Sequence, residues 1–470
     1  MASLALFLCL GFIAWVLVRD VRRRTSVSAA VWMPTIMLAV IGSRPLSLWI
    51  GAGTGKESDW IDQAFYFGMI VGSWAVVTSR RVNWNKLFAA NIAMTLFYLY
   101  LATTSFWSAD PVGSFKRWFK VCGMVFVVLV ILSEKEPLQA MRAVYIRCAS
   151  VLFSLSVVFI RYYPNLGQSY SRSGEKMFTG VTTQKNSLGE IVMVFGLFLI
   201  WDYLETLAAR PKPLWRRMPL DGLLLLPMGA WLLSISESKT ALLCLLIGVT
   251  VMVAHGRVGS LMVNRVILLG TLSLPFFLLL TQQLSPVVAP LVGAFGRNMT
   301  FTGRTYIWQN ILADKALNPF IGGGFQNYWA DEGAEAIRQA LQTGVSSAHN
   351  GYLELYLDGG LIALGLLFYL FWTKGSRLVE RLRRSARLRN VPPPMVRYQH
   401  LRFAILIVAI YYSLSESGFA RLMPIWFTTV LVLMDYPVSV GGRRQVQREL
   451  HSGDEGIVWA NADVPRCASH

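Results

Sequence analysis

The feature that most constrains this chain is the recurrence of apolar blocks, each roughly 15–22 residues long and separated by short charged stretches. A helix needs about 20 residues to cross the hydrocarbon layer of a bilayer. One-face periodicity is weak within the blocks. The helices they form are therefore apolar all round, as membrane spans are and the surface helices of soluble proteins are not. Composition agrees, with 54% hydrophobic and 15% charged residues, against about 45–50% (Gly included) and about 25% in an average soluble domain. The expected fold class is all-α: a polytopic integral membrane protein of 12 or 13 transmembrane helices with one long outward loop.

The candidate spans are residues 3–18, 29–42, 64–78, 87–104, 119–133, 145–162, 188–203, 222–235, 241–254, 267–281, 361–372, 403–414 and 424–434. They divide the chain into an N-terminal bundle (1–281), a large loop (282–360), a C-terminal set of helices (361–437) and a polar tail (438–470) expected to be disordered. The first block has no basic residue before it and is followed by Arg19, Arg22, Arg23 and Arg24. A cleaved signal has the reverse order, so this reads as an uncleaved first span with its N-terminus outside.

The net charge of +18 would suggest a nucleic-acid partner if it were gathered into a patch, and it is not. Arg80, Arg81 and Lys86 share one loop, Arg210 to Arg217 another, and Arg257 and Arg265 a third. The densest runs from Lys374 to Arg402. All fall on the side of Arg19–Arg24, which the positive-inside rule makes cytoplasmic. No nucleic acid is expected, and membrane lipids are the surroundings. The segment around Leu378 to Leu388 reads as a solvated topology signal or a short interfacial helix. Five cysteines lack metal or redox spacing, so neither a disulfide nor a metal site is expected.

The outward loops then hold residues 43–63, 105–116, 164–186, 236–240 and a polar island from Phe301 to Gly360. Of five histidines only His349 falls on the outer side. Outward cations are scarce by the same rule, so those present need a reason: Arg44, Lys185, Lys239 and Arg304. Each stands near a span end. Together they suit an anionic group such as a lipid diphosphate; singly, each is equally explained by a carboxylate partner or by snorkelling to headgroups. Gly322 to Gly324 shape a turn and match no nucleotide motif. Trp107, Tyr306, Trp308, Phe325, Tyr328 and Trp329 suit stacking on sugar rings or an interfacial belt. No internal repeat of broken helices, the signature of many transporters, is evident.

Five patches in order resemble the O-antigen ligase and polymerase superfamily of bacterial inner-membrane glycosyltransferases. They are Gly180-Val181-Thr182-Thr183-Gln184-Lys185-Asn186-Ser187-Leu188-Gly189, Ser236-Glu237-Ser238-Lys239-Thr240, Gly303-Arg304-Thr305-x-x-Trp308, Asn318-Pro319-x-x-Gly322-x-Gly324 and Ala348-His349-Asn350-Gly351-Tyr352-Leu353. Ser43-Arg44-Pro45-Leu46-Ser47 and Ser108-Ala109-Asp110-Pro111 look like its exopolysaccharide-polymerase (ExoQ-like) branch. Ligases often carry Arg where this chain has Lys239, a departure that favours that branch.

The resemblance implies inverting glycosyl transfer without metal or cofactor, on the periplasmic face of the inner membrane. Donor and acceptor would be glycans on undecaprenyl diphosphate. Lipid A-core would be the acceptor in the alternative, an O-antigen ligase. A lipid-linked oligosaccharide flippase is the competing class. It calls for charge buried mid-span, which these spans almost lack. An assembly subunit without activity is a third reading. The implied roles are His349 and Arg304 as catalytic, with Arg304, Lys239, Lys185 and Arg44 on the diphosphate. Glu354 and Asn350 are candidates for orienting His349. An imidazole, which titrates near neutrality, suits removal of the acceptor proton, and fixed cations suit the leaving diphosphate. A chain-length regulator and a flippase are the partners such a system uses.

Overall fold

A computed structural model describes residues 1–53, 59–80, 82–171, 174–208, 220–255, 265–273, 304–330, 346–387 and 393–436, with Glu335 and Arg338. The tail 438–470, the basic residues Arg210 to Arg217, Arg257 and most of the loop before Arg304 lie outside the described residues.

The helices in chain order are α1 (Ala2–Arg23), α2 (Trp32–Ile41), α3 (Leu46–Trp49), α4 (Trp60–Ser79), α5 (Trp84–Ala90), α6 (Ile92–Thr103), α7 (Pro111–Leu132), α8 (Pro137–Tyr162), α9 (Pro164–Gly167), α10 (Lys185–Ala208), α11 (Leu220–Ser236), α12 (Lys239–His255), α13 (Arg304–Ala313), α14 (Gly351–Arg387), α15 (Pro393–Tyr412) and α16 (Pro424–Leu433). Strands β1 (Gln168–Tyr170) and β2 (Lys176–Phe178) form one antiparallel ribbon, with Ser169 opposite Met177. Among the described residues the chain is all-α apart from this ribbon. Each expected span has a described helix, except that only residues 265–273 of the tenth are described.

Among the described residues, four helices are long and apolar enough to cross a membrane unaided: α1, α8, α10 and α14. The pair α5 and α6, bent by 90° at Asn91, makes a fifth if it is one span. Asn91 bonds across its own break, its side-chain amide donating to Leu87 O at 2.8 Å. Shorter apolar helices include α11, α12 and α16.

Two compact units divide the chain. The first comprises residues 1–92, 123–242 and 430–470. Its hub is α8, which packs against α1, α2, α10 and α11. Tyr145 stacks on Phe198, their ring centroids 4.6 Å apart, and Phe153 meets Phe195 edge-on. In lipid the association of apolar helices gains little from water exclusion, so close packing and interhelical polar bonds must supply it. This unit also buries paired charges at or beside the ends of the expected spans 3–18, 64–78, 119–133 and 145–162. Arg147, in the interior of α8, donates to Asp20 at 2.8 Å and covers the Trp32 ring, while Arg24 donates to the other Asp20 oxygen at 2.7 Å. Arg80 and Ser28 converge on Glu134. Both of these buried carboxylates have a counter-charge in place, as low dielectric demands.

The second unit comprises residues 93–122 and 243–429. Its long helix α14 is kinked where Gly359 and Gly360 leave helical geometry. The Gly322–Gly324 turn packs backbone to backbone against that kink: Gly323 N–H donates to Leu357 O at 2.8 Å and Leu361 N–H to Pro319 O at 2.9 Å. The turn's expected role, loop geometry, is what these contacts describe.

Candidate functional site

In the second unit three chain segments meet at one cluster of polar groups. Helix α13 opens with Arg304, and Trp308 follows one turn later on the same face. The loop Ser347–Asn350 precedes α14. Asn350 caps that helix, its Oδ1 accepting from Tyr352 N–H at 2.9 Å and Leu353 N–H at 3.2 Å. The third segment, Ser413 to Arg421, joins α15 to α16.

His349 Nδ1 lies 3.4 Å from Glu416 Oε2, and Arg304 Nη2 donates to Glu416 Oε1 at 3.1 Å. Arg304 Nη1 also donates to Ser415 O. One carboxylate therefore holds both of the residues assigned to catalysis. With its proton on Nδ1 the ring donates to Glu416 and keeps a lone pair on Nε2, the form a general base needs. The imidazole is 35% exposed and Glu416 11%, so the ring is accessible while its partner is shielded. The loop is also tied to the third segment by Ser347 Oγ, 2.6 Å from Ser417 Oγ, and by Gly351 N–H donating to Ser413 O at 2.7 Å.

Below this lies a second, more buried network. Glu354 accepts from Ala348 N–H at 2.6 Å, Trp329 Nε1 at 3.0 Å and Arg421 Nη2 at 3.0 Å. Arg421 Nη1 donates to Asp358 at 2.5 Å, and Asp358 accepts Gln326 N–H at 2.8 Å. Burial alone would lower the Arg421 pKa; the charges of Asp358 and then Glu354 outweigh it, so the guanidinium stands above its ordinary value. Glu354 thus reaches the His349 segment through the backbone. The side chain that reaches the imidazole is Glu416.

Four non-glycine residues among those described have left-handed backbones: Glu237, Gln326, His349 and Ala420, with φ between 48° and 52°. Such geometry persists only where the surroundings over-determine it, and it gathers at functional sites. Each of the four lies in a patch described here.

The first unit holds the other predicted cations. Arg44 is bound to its own fold: Nε donates to Val181 O at 3.1 Å and Nη2 to Leu166 O at 2.8 Å and Gly180 O at 3.2 Å. Lys185 opens α10 and Lys239 opens α12. Their helix starts are neighbours, since a Cβ on Gly189 would lie 2.5 Å from Ser238 Cβ. Lys185 Nζ is 3.8 Å from Glu237 Oε2, a loose and exposed pair of small energy. Two helix N-termini carrying lysines form a setting for an anion.

Sequence reasoning missed Glu416 and Arg421. The signal was present: Ser413-Leu414-Ser415-Glu416-Ser417-Gly418-Phe419-Ala420-Arg421 separates two apolar blocks on the side expected to face outward. The scarcity of outward cations should have singled out Arg421. The aromatic reading also changes: Trp107 Nε1 donates to Ile321 O at 3.1 Å and Trp308 Nε1 to Ala348 O at 2.8 Å, so both indoles hold loop backbone. The side chain of Tyr306 lies outside the described residues. No group of three or more metal-ligating side chains gathers among the described residues.

Residues 222–369 match the family model described as O-antigen ligase. The matched stretch includes Lys239, Arg304, His349, Asn350 and Glu354. The chain is also similar to the exopolysaccharide production protein ExoQ of Rhizobium meliloti (strain 1021), at 25% identity over 348 residues, covering 72% of this chain and 75% of that one.

Proposed function

We propose that this multi-pass membrane protein is a member of the O-antigen ligase superfamily and polymerises oligosaccharide repeats carried on undecaprenyl diphosphate, at the periplasmic face of the bacterial inner membrane. The similarity to an exopolysaccharide production protein favours a polymerase over a ligase. The observation that carries the reading is the partly exposed His349 imidazole, which stands on a left-handed backbone and is backed at Nδ1 by Glu416.

In this mechanism the acceptor sugar hydroxyl gives its proton to His349 Nε2 as its oxygen attacks the anomeric carbon of the donor. The new C–O bond forms on the face opposite the diphosphate, the bond to the diphosphate oxygen breaks, and the configuration inverts. Glu416 stabilises the imidazolium as it forms. Charge builds on the departing diphosphate. Lys239 and Lys185, at two helix N-termini, are assigned to it on charge and dipole, and Arg304 through N–H groups not given to Ser415 and Glu416. Arg44 acts on the same group at one remove, by holding the carbonyls of the Leu166–Val181 loop just before Lys185.

The test is His349→Ala, with purified protein in detergent and a lipid-linked repeat as sole substrate. Long-chain product should vanish while the amount of protein in the membrane is unchanged. Polymer from the His349→Ala protein sinks the assignment. Product found on lipid A-core, with none on undecaprenyl diphosphate, makes the protein a ligase. A requirement for a transmembrane gradient makes it a transporter.

A further inference from the structure

We propose that Trp308 is a positioning residue for His349, acting through its indole N–H and not as a sugar platform; this rests on the role given to His349 above. The residue preceding His349 is held at both its N–H and its C=O. Ala348 C=O accepts from Trp308 Nε1 at 2.8 Å, and Ala348 N–H donates to Glu354 at 2.6 Å. Ala348 is fully buried among Ile307, Ile311, Tyr328 and Leu353, with Trp308 packed against the same cluster. The grip falls one residue before a histidine whose φ of 49° is unfavourable for any side chain with a Cβ. Left to itself the peptide would relax toward an ordinary conformation and swing the imidazole away from Glu416.

The placement on α13 gives the second half of the argument. Arg304 and Trp308 are four residues apart and share one helix face. From that face Arg304 reaches Glu416 and Ser415, and Trp308 reaches the residue before the histidine. A single helix therefore fixes both the imidazole's partner and the backbone carrying the imidazole. Any shift of α13 would move the two together. A displacement of about 1 Å in such a group can lower turnover by as much as 100-fold.

The diagnostic variant is Trp308→Phe, which keeps an aromatic ring and removes the donor. Turnover should fall at least about tenfold on that reasoning, with KM for the lipid-linked acceptor and the amount of folded protein unchanged. A second readout needs no substrate: carbethoxylation of His349 by diethylpyrocarbonate, followed by mass spectrometry, should quicken several-fold in Trp308→Phe, with His400 as internal reference. Trp308→Phe with normal turnover and labelling overturns the inference. So does a pattern in which Trp308→Phe is normal and only Trp308→Ala raises KM, which would mark a stacking platform. If His349→Ala keeps its activity, the catalytic reading fails by itself, and the labelling rate still decides whether Trp308 holds the loop.

Discussion

Glu416 and Arg421 do opposite things with similar chemistry. Glu416 sits at the edge of the cluster, where its two oxygens separately meet an imidazole and a guanidinium. Glu416→Gln keeps the shape and an acceptor oxygen but removes the charge that stabilises an imidazolium. Turnover should drop about 10- to 100-fold, in keeping with the usual size of general-base effects, with KM nearly constant in a steady-state assay. Arg421, 14% exposed, pairs with two carboxylates that are almost fully enclosed. Arg421→Met leaves both without a counter-charge, a situation that typically costs about 3–5 kcal/mol. That loss should appear as a lower melting temperature and less protein in the membrane, with Arg421→Lys intermediate because it cannot fork onto both acids.

At the scale of elements, the decisive piece is the kinked helix α14 and the glycine turn locked against it. Gly360 has φ 63°, and a Cβ there would lie 2.2 Å from Phe320 C; at Gly322, φ 68°, a Cβ would lie 2.6 Å from Gly359 N. Both positions combine a left-handed backbone with contact against another backbone, which cannot rotate away. Gly360→Ala should therefore destabilise by more than the 1–3 kcal/mol of ordinary overpacking, taken as about that size. Gly365→Ala, with open space around it, should be neutral or slightly stabilising in the same helix. Comparing thermal aggregation midpoints of the two variants in detergent checks this. Since Asp358 and Glu354 lie on the turns just before the kink, strain at Gly360 is expected to reach the His349 loop.

At the scale of the molecule, the first unit sorts its polar groups by end. There, Arg44, the Leu166–Val181 loop, Lys185 and Glu237 are joined by direct contacts, and Arg80, Ser28 and Glu134 form a separate group at the other ends of their helices. This sorting agrees with the alternation expected from loop charge. It yields a topology experiment: in intact cells a membrane-impermeant maleimide should label Ser346→Cys and spare Lys135→Cys, both exposed positions. Labelling of Lys135→Cys alone would invert the orientation and remove the periplasmic assignment.

Much of this was legible in the residues. Hydropathy located the helices because lipid forces every span to be long, apolar and helical. Charge placement supplied an expected sidedness, which the maleimide experiment tests. The scarcity of outer histidines and cations pointed to His349, Arg304, Lys185 and Lys239. Arg44 met the same criterion, yet its guanidinium is engaged with the carbonyls of a loop some 120 residues and more away in the chain, and no local pattern announces such a bond.

The sequence by itself determined the class of molecule and where its helices lie, because the bilayer imposes composition and length on each segment separately. Which acid faces which base was decided only by the tertiary structure. Glu416 lies 67 residues from His349 and 112 from Arg304, so nothing in local propensity or periodicity relates them. Their meeting depends on how helices close on one another, and that is settled by packing and by the need of each buried charge for a partner.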